Sequence, residues 1–454
     1  MKNRKMLDMT QGNILPVLLT FALPLMIGSL FQDLYNLVDM TIAGYTLGDN
    51  ALASISSTGA LNVFINSMVR GFAIGNSIVV SNAFGAGDME RTRRSTAAML
   101  ELCMIMAVAV TALLLFAIDP VLHLIATPAH LYQDAKTYIV TIICGISASM
   151  LYNMVACAFR AVGNSKTPLY FLILSSVLNM GLDYLFMVPM HMGVLGAALA
   201  TVLSQLLSAV LSALSFYRSF PELRINLRDF LHNGDIVRDM FPIGFSGSLT
   251  NSVFAIGMVA IQGSVNNLGQ ETIIAQAATG KIEMFAFIPS VNIANTIATY
   301  SAQNYGAGKI DRITKGIHTA ILFSFCCNIV TYTVIFLFGG SLAQLITNTD
   351  SPVVIEQAQT MLRIIVPFIF CQTGIMCYRM SIQGMRRKII PIVGTFVELI
   401  IRTVFALIIT PIFGFRAIAA AEPSSWIISG LLMLFCYYVI AHREKQRFAA
   451  HALK

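Results

Sequence analysis

Twelve apolar runs of about twenty residues or more recur along this chain, each long enough for a helix to cross a hydrocarbon core roughly 30 Å thick. They fall at about 14–44, 51–80, 93–118, 134–158, 168–188, 193–217, 238–264, 273–302, 314–338, 354–382, 390–411 and 414–441. Mean hydropathy is +0.74. Charged residues are 11% of the 454, against about 25% in an ordinary soluble protein, so the bilayer is the solvent for most of the chain. No polar stretch between the runs could build a separate soluble domain. The longest, 218–237, divides the chain into an expected amino-terminal lobe of six transmembrane helices (1–217) and a carboxy-terminal lobe of six with a basic tail (238–454), joined by a cytoplasmic linker.

The two lobes repeat one another. Phe84-Gly85-Ala86-Gly87-Asp88 returns 221 residues later (84 to 305) as Tyr305-Gly306-Ala307-Gly308-Lys309, with Arg91 matched by Arg312, Gly59 by Gly280 and Phe64 by Phe285. Pro24 pairs with Pro242 at a slightly different offset, which a small insertion explains. Internal repeats in a membrane chain point to a transporter. Six spans per half is an even number, so both halves enter the membrane in the same sense, as parallel repeats about an axis along the membrane normal.

Basic residues cluster in alternate connections: Lys2, Arg4 and Lys5; Arg91, Arg93 and Arg94; Arg160 and Lys166; Arg218, Arg224, Arg228 and Arg238; Lys309, Arg312 and Lys315; Arg379, Arg386, Arg387 and Lys388; and Arg443, Lys445, Arg447 and Lys454. The intervening connections hold Lys136, Arg416 and little else. The positive-inside rule then places both termini in the cytoplasm of a multi-pass protein of the cell membrane. The net charge of +7 is a topology signal, and no nucleic-acid partner is expected. The first residues, through Asn13, are polar, and the apolar run after them is too long for a signal sequence. All eight cysteines lie in or beside apolar spans without metal-ligand spacing and read as buried free thiols. The seven histidines sit mostly in connections, there is no P-loop, and no nucleophile–base constellation appears. The chain is expected to be no enzyme, to carry no cofactor and to work as a monomer.

Function should then lie in polar residues inside the spans, where an ionisable group costs roughly 2.5–3.5 kcal/mol on insertion scales. Gln32, Tyr35, Asn36 and Asp39 recur at spacings of three and four and line one face of the first helix. Asn179 and Asp183, four apart, share a face of the fifth span; Asn153 in the fourth and Thr201 in the sixth add oxygen ligands at plausible depth. Each of these could simply hydrogen-bond a neighbouring helix, but two carboxylates in one half need a partner or a proton. Two carboxylates, two carboxamides and hydroxyls in a dry bundle suit Na⁺, and they equally suit a shared proton, because close carboxylates cannot both stay ionised cheaply.

Phe31-Gln32-Asp33-Leu34-Tyr35-Asn36-Leu37-Val38-Asp39 resembles the first-helix signature of the multidrug and toxic compound extrusion (MATE) family. So does Phe159-Arg160-Ala161-Val162-Gly163-Asn164-Ser165-Lys166-Thr167-Pro168, as do the Gly-Ala-Gly turns and Lys281-Ile282-Glu283 with Phe285. Asp39 together with Asn179 and Asp183 is most similar to the prokaryotic branch named for the DNA-damage-inducible protein. The resemblance implies an all-α antiporter of twelve transmembrane helices in two pseudo-symmetric lobes forming a V around a central cavity. It would expel amphipathic, often cationic organic compounds in exchange for H⁺ or Na⁺. The resemblance also implies a coupling-cation site, for a proton or for Na⁺ at Asp39, Asp183 and Asn179, built from Tyr35, Asp39, Tyr138, Asn153, Asn179, Asp183 and Thr201. Pro24 would bend the first helix or be a static kink. Asp33 departs from the uncharged polar residue common in the family, and either modifies the cavity field or faces a polar gap between helices.

The halves differ at this site. Carrying Pro168 onto Pro391 sets Asn179 opposite Arg402 and Asp183 opposite Ala406. Glu398 and Arg402, four apart, are expected to pair within one helix. Glu283 has three open readings: a pair with Lys281, a pair with Arg363, or a second acidic site for cationic substrate. A lipid-linked oligosaccharide flippase of the same superfamily is the alternative function, though it usually needs a more cationic cavity than Arg70, Lys281, Arg363 and Arg402 supply.

Overall fold

In lipid the backbone must satisfy its own hydrogen bonds, which favours long uninterrupted helices. The computed structural model describes residues 6–124, 127–226, 228–231, 233–347 and 351–452; Lys2, Arg4, Lys5, Lys454 and the Arg228 side chain lie outside the described residues. The helices are α1 (Ile14–Ser57), α2 (Gly59–Gly85), α3 (Met89–Leu124), α4 (Tyr132–Cys144), α5 (Ile146–Ala161), α6 (Lys166–Met187), α7 (Gly193–Ser219) and the short α8 (Arg228–Leu231). They continue with α9 (Gly234–Asn266), α10 (Gln270–Gly306), α11 (Ile310–Thr347), α12 (Pro352–Ile365), α13 (Ile369–Gly384), α14 (Ile389–Val404), α15 (Thr410–Phe413) and α16 (Phe415–Ala452). No strand occurs among the described residues.

Nine spans among the described residues are long and apolar enough to cross a membrane, counting α12 with α13 and α14 with α15; α4 and α5, bent by 44° at Gly145, make a tenth. α9 and α10, of 33 and 37 residues, complete twelve. The protein is thus the all-α polytopic fold that the hydropathy pattern predicts, with six spans in each of two pseudo-symmetric lobes. The first span runs further than expected, its helix continuing to Ser57. Phe116, Leu345 and Ile412 stand open on the surface, as side chains facing lipid should.

By its contacts the chain forms two units, Met1–Asp8 with Leu23–Ser248 and Met9–Ala22 with Leu249–Lys454. These limits differ from the division at 217 and 238 expected from hydropathy, because each unit takes in a strap of chain held by polar contacts. In the first unit Arg93 Nη2 lies 3.1 Å from Asp229 Oδ1, Asn226 N donates to Asp229 Oδ2 at 2.8 Å, and Ser248 Oγ donates to Met68 O at 2.8 Å. In the second, Met9 N donates to Gln303 Oε1 at 2.9 Å, Lys309 Nζ to Thr10 O at 2.9 Å, and Arg312 Nη2 to Gln11 O at 2.7 Å. Both straps are held from the repeated turn region, so they are counterparts too.

Packing obeys the same repeat. In the first unit α2 packs on α3 and α5, and α7 on α4, α5 and α6; in the second α10 packs on α11 and α13, and α16 on α12, α13 and α14. The Gly-Ala-Gly turns close identically. Gly87 (φ 78°) and Gly308 (φ 71°) take the left-handed conformation, and Asp88 N and Lys309 N return to Ala83 O (3.1 Å) and Asn304 O (2.8 Å), the six-to-one bond of a helix terminus finished by glycine. The turn into α6 uses Gly163 (φ 82°), whose counterpart before α14 is Arg386 (φ 62°).

Gly87 and Gly163 are separable by mutation. A Cβ on Gly87 meets nothing within 4 Å, whereas one on Gly163 would stand 2.1 Å from Leu7 O. Gly87→Ala should cost only the left-handed penalty of about 1–2 kcal/mol. Gly163→Ala should cost more, because the Leu7 backbone must also move. Thermal unfolding of the purified variants checks the order, and equal melting temperatures would contradict it.

Candidate functional site

Residues four apart on a helix face the same way, and the structure brings two such pairs together in the first unit. The Tyr35 hydroxyl of α1 donates to Asn179 Oδ1 of α6. One turn further along each helix, the Asp39 and Asp183 carboxyls lie within hydrogen-bond reach of one another. Thr201 of α7 reaches the Tyr35 hydroxyl, and Tyr138 of α4 lies in the field of both carboxylates. Asp183 is 0% exposed and Asn179 1%, while Asp39 and Tyr35 are half-buried.

The chemistry of this group follows from what its atoms lack. Among the described residues, neither Asp183 oxygen accepts a hydrogen bond from an N–H or O–H donor, and Asn179 Nδ2 finds no acceptor. Two ionised carboxylates are acceptors only, so the approach of Asp39 to Asp183 becomes a hydrogen bond once a proton lies between them. A small cation between the two oxygens would offset the same repulsion. The group therefore fits a monovalent positive charge.

Six of the seven expected site residues meet here: Tyr35, Asp39, Tyr138, Asn179, Asp183 and Thr201. Asn153 stands apart in its hydrogen bonding, donating back to Ser149 O of its own helix at 2.8 Å. On the rest of the α1 face Gln32 is half-buried and Asn36 exposed. Asp33 has a cationic neighbour, Arg70 of α2, which in turn lies near Arg160 and Tyr152. Pro24 sits inside α1 without ending the helix, beside the point where α1 passes from the second unit to the first at Leu23.

A model of the MatE family matches the chain twice, over residues 24–185 and 242–408, each copy opening on one of the paired prolines. The chain belongs to the MatE family. Among similar proteins are the probable multidrug resistance protein YpnP of Bacillus subtilis, 27% identical over 372 residues (80% of this chain and 82% of that one), and the probable multidrug resistance protein NorM of Thermotoga maritima, 24% identical over 393 residues (84% and 82%). Among solved structures the fold is shared with a MOP superfamily transporter from Pyrococcus furiosus, 22% identical with a TM-score of 0.90, covering 98% of this chain and 100% of that one. The family resemblance carried by the first-helix signature and the Gly-Ala-Gly turns is thereby established.

The second unit of this MatE chain handles its charges differently from the sequence expectation. Glu398 does not pair with Arg402 of its own helix; its partner is Arg379 of α13. The cause is burial. Arg379, counted above among the basic connection residues, is 5% exposed inside α13, and a guanidinium there requires a counter-charge. Arg402 instead approaches Glu422 of α16, Nη1 to Oε1 at 3.6 Å. Glu283 pairs with neither Lys281 nor Arg363: it faces Glu422 and Arg402, Lys281 is exposed, and Arg363 lies over the Phe336 ring at 5.0 Å. Glu422 went unnoticed in the sequence, where the available signal was a lone acid in the last apolar run, after Ala419-Ala420-Ala421.

Breaking a buried ion pair on one side leaves an uncompensated charge. Arg379→Met should therefore lower stability by about 3–5 kcal/mol, while Arg379→Met combined with Glu398→Leu should recover most of the loss. Thermal unfolding of the two variants beside the parent checks this, and a double variant no more stable than the single one would contradict it.

Proposed function

We propose that this MatE protein is a secondary transporter that expels amphipathic, cationic organic compounds from the cytoplasm in exchange for incoming H⁺. It works as a monomer in the cell membrane with both termini cytoplasmic. The observation that carries the reading is the buried approach of Asp39 to Asp183 in the first unit. Similar chains named as multidrug resistance and multidrug export proteins support a reading of multidrug efflux.

The coupling step begins with a proton arriving at Asp39 and Asp183 from outside. It removes the repulsion between the carboxyls and neutralises α1 at the depth of the site. α1 then repacks about Pro24, where the missing backbone N–H removes one helical hydrogen bond and permits a bend. Substrate leaves on one side and the proton on the other, so the two occupy the protein in alternation. The driving force suffices, since one charge crossing 100 mV releases about 2.3 kcal/mol. H⁺ is taken as the coupling ion because one proton shared by Asp39 and Asp183 removes the repulsion of two close carboxylates directly.

The test is efflux of ethidium in everted vesicles under an imposed pH gradient and, separately, under a Na⁺ gradient. Parent protein should follow the pH gradient. Asp39→Asn should fall to the level of vesicles lacking the protein while eluting as a folded species. Normal efflux by Asp39→Asn would refute the coupling role, and transport driven by the Na⁺ gradient alone would replace H⁺ with Na⁺.

A further inference from the structure

The internal repeat gives each residue of the first-unit site a counterpart. Asp39 and Gly257 lie fifteen residues after Pro24 and Pro242 (39 − 24 and 257 − 242). Asn179 and Arg402 lie eleven after Pro168 and Pro391 (179 − 168 and 402 − 391). Thr201 and Glu422 lie eight after Gly193 and Gly414 (201 − 193 and 422 − 414), two glycines with matching left-handed φ of 61° and 63°. These counterparts converge again in the second unit. A Cβ on Gly257 would stand 3.8 Å from Arg402 Cδ, and Arg402 Nη1 is 3.6 Å from Glu422 Oε1.

A further carboxylate joins them. Glu283 of α10, 8% exposed, lies in the electrostatic field of both Glu422 and Arg402. Its Oε1, like Glu422 Oε2, is buried without a hydrogen-bond partner among the described residues. The other charges around the group do not complete it. Arg379 of α13 faces Arg402, but its own partner is Glu398 of α14. Arg363 of α12 is turned to Phe336, Lys281 of α10 is exposed, and α9 carries no charged residue between 249 and 266. Two carboxylates thus face one guanidinium in an apolar bundle, one negative charge in excess.

We propose that Glu283 and Glu422 hold a single proton between them on Arg402, forming a second proton-binding site at the repeat-related position of the carboxy-terminal unit. Arg402 satisfies one carboxylate and the proton satisfies the other. The helix is also built to yield there. α14 passes into a π-helical turn, Phe405–Ile409, three residues after Arg402, a distortion that recurs at functional positions. Ser264 Oγ caps the opened carbonyl of Ala406 at 2.9 Å. The site stands whether or not the Asp39 pair couples transport.

Proton counting tests it. Purified protein in unbuffered detergent solution is brought from alkaline to neutral pH and the protons taken up per chain are counted. Glu283→Gln should take up one proton fewer than the parent, and so should Glu283→Gln with Glu422→Gln, because Arg402 alone suffices for the remaining carboxylate in the single variant. Asp39→Asn serves as a control on the other unit and should retain the Glu283–Glu422 proton. Equal uptake by parent and Glu283→Gln would overturn the proposal. Should these variants fail to fold, infrared spectra of Asp39→Asn with Asp183→Asn provide a second test. One buried protonated-carboxyl band should remain and disappear on alkalinisation, and no such band would overturn it. Trp426, the chain's only tryptophan, is buried one turn from Glu422, and a change in its fluorescence at the same pH would support the assignment.

Discussion

A charge inside this bundle has to be neutralised where it stands. Solvation by water is lost there, and the cost of a lone ion is a sizeable part of what holds any domain together. The two units meet this constraint in opposite ways. The first places Asp39 and Asp183 side by side with a hydroxyl and amide surround, Tyr35, Thr201 and Asn179, and with no Lys or Arg partner among the described residues. The second supplies guanidinium groups, Arg379 to Glu398 and Arg402 to Glu422. In the first unit a proton or small cation would offset the repulsion of the two carboxyls. In the second the protein carries most of the offsetting charge covalently.

One scaffold bears both solutions because the repeat fixes the backbone and leaves the side chains free. The left-handed glycines, the helix-packing pairs and the held straps recur in both units. Loss of the first-helix carboxylate at Gly257 makes room for the long Arg402 side chain. The counterpart of Asp183, Ala406, falls within the π-helical turn, so register at that depth no longer matches the regular α6. Divergence at three or four positions thus converts an anionic pocket into a zwitterionic one without disturbing the fold.

What was legible in the sequence depended on the range of the interaction. The twelve spans follow from hydropathy alone, and the shared faces of Tyr35 with Asp39 and Asn179 with Asp183 follow from helical spacing. Their meeting across α1 and α6 came only through resemblance to a family. The Glu398–Arg402 expectation failed because spacing of four makes a pair available without making it the best one, and buried Arg379 on another helix competed successfully for Glu398. Glu422 was hidden for a related reason. A single acid in an alanine-rich run carries no periodic signal, and its significance appears only when α10, α14 and α16 are assembled around Arg402. The straps escaped hydropathy because polar contacts from Gln303, Lys309, Arg312 and Arg93 decide which unit residues 9–12 and Asp229 join.

α1 and α9 are the helices whose residues are divided between the units, and α1 also carries Asp39. Its start is fixed through Met9, Thr10 and Gln11, and its middle is fixed through the Tyr35 bond to Asn179. Between these anchors stands Pro24, where the ladder of backbone hydrogen bonds lacks one donor. A change of charge at Asp39 therefore acts on a segment restrained at both ends and weakest between them. Coupling requires a physical element with two arrangements that both sites can bias. Pro24 and its counterpart Pro242 each stand inside a helix, α1 and α9, and each removes one backbone donor there.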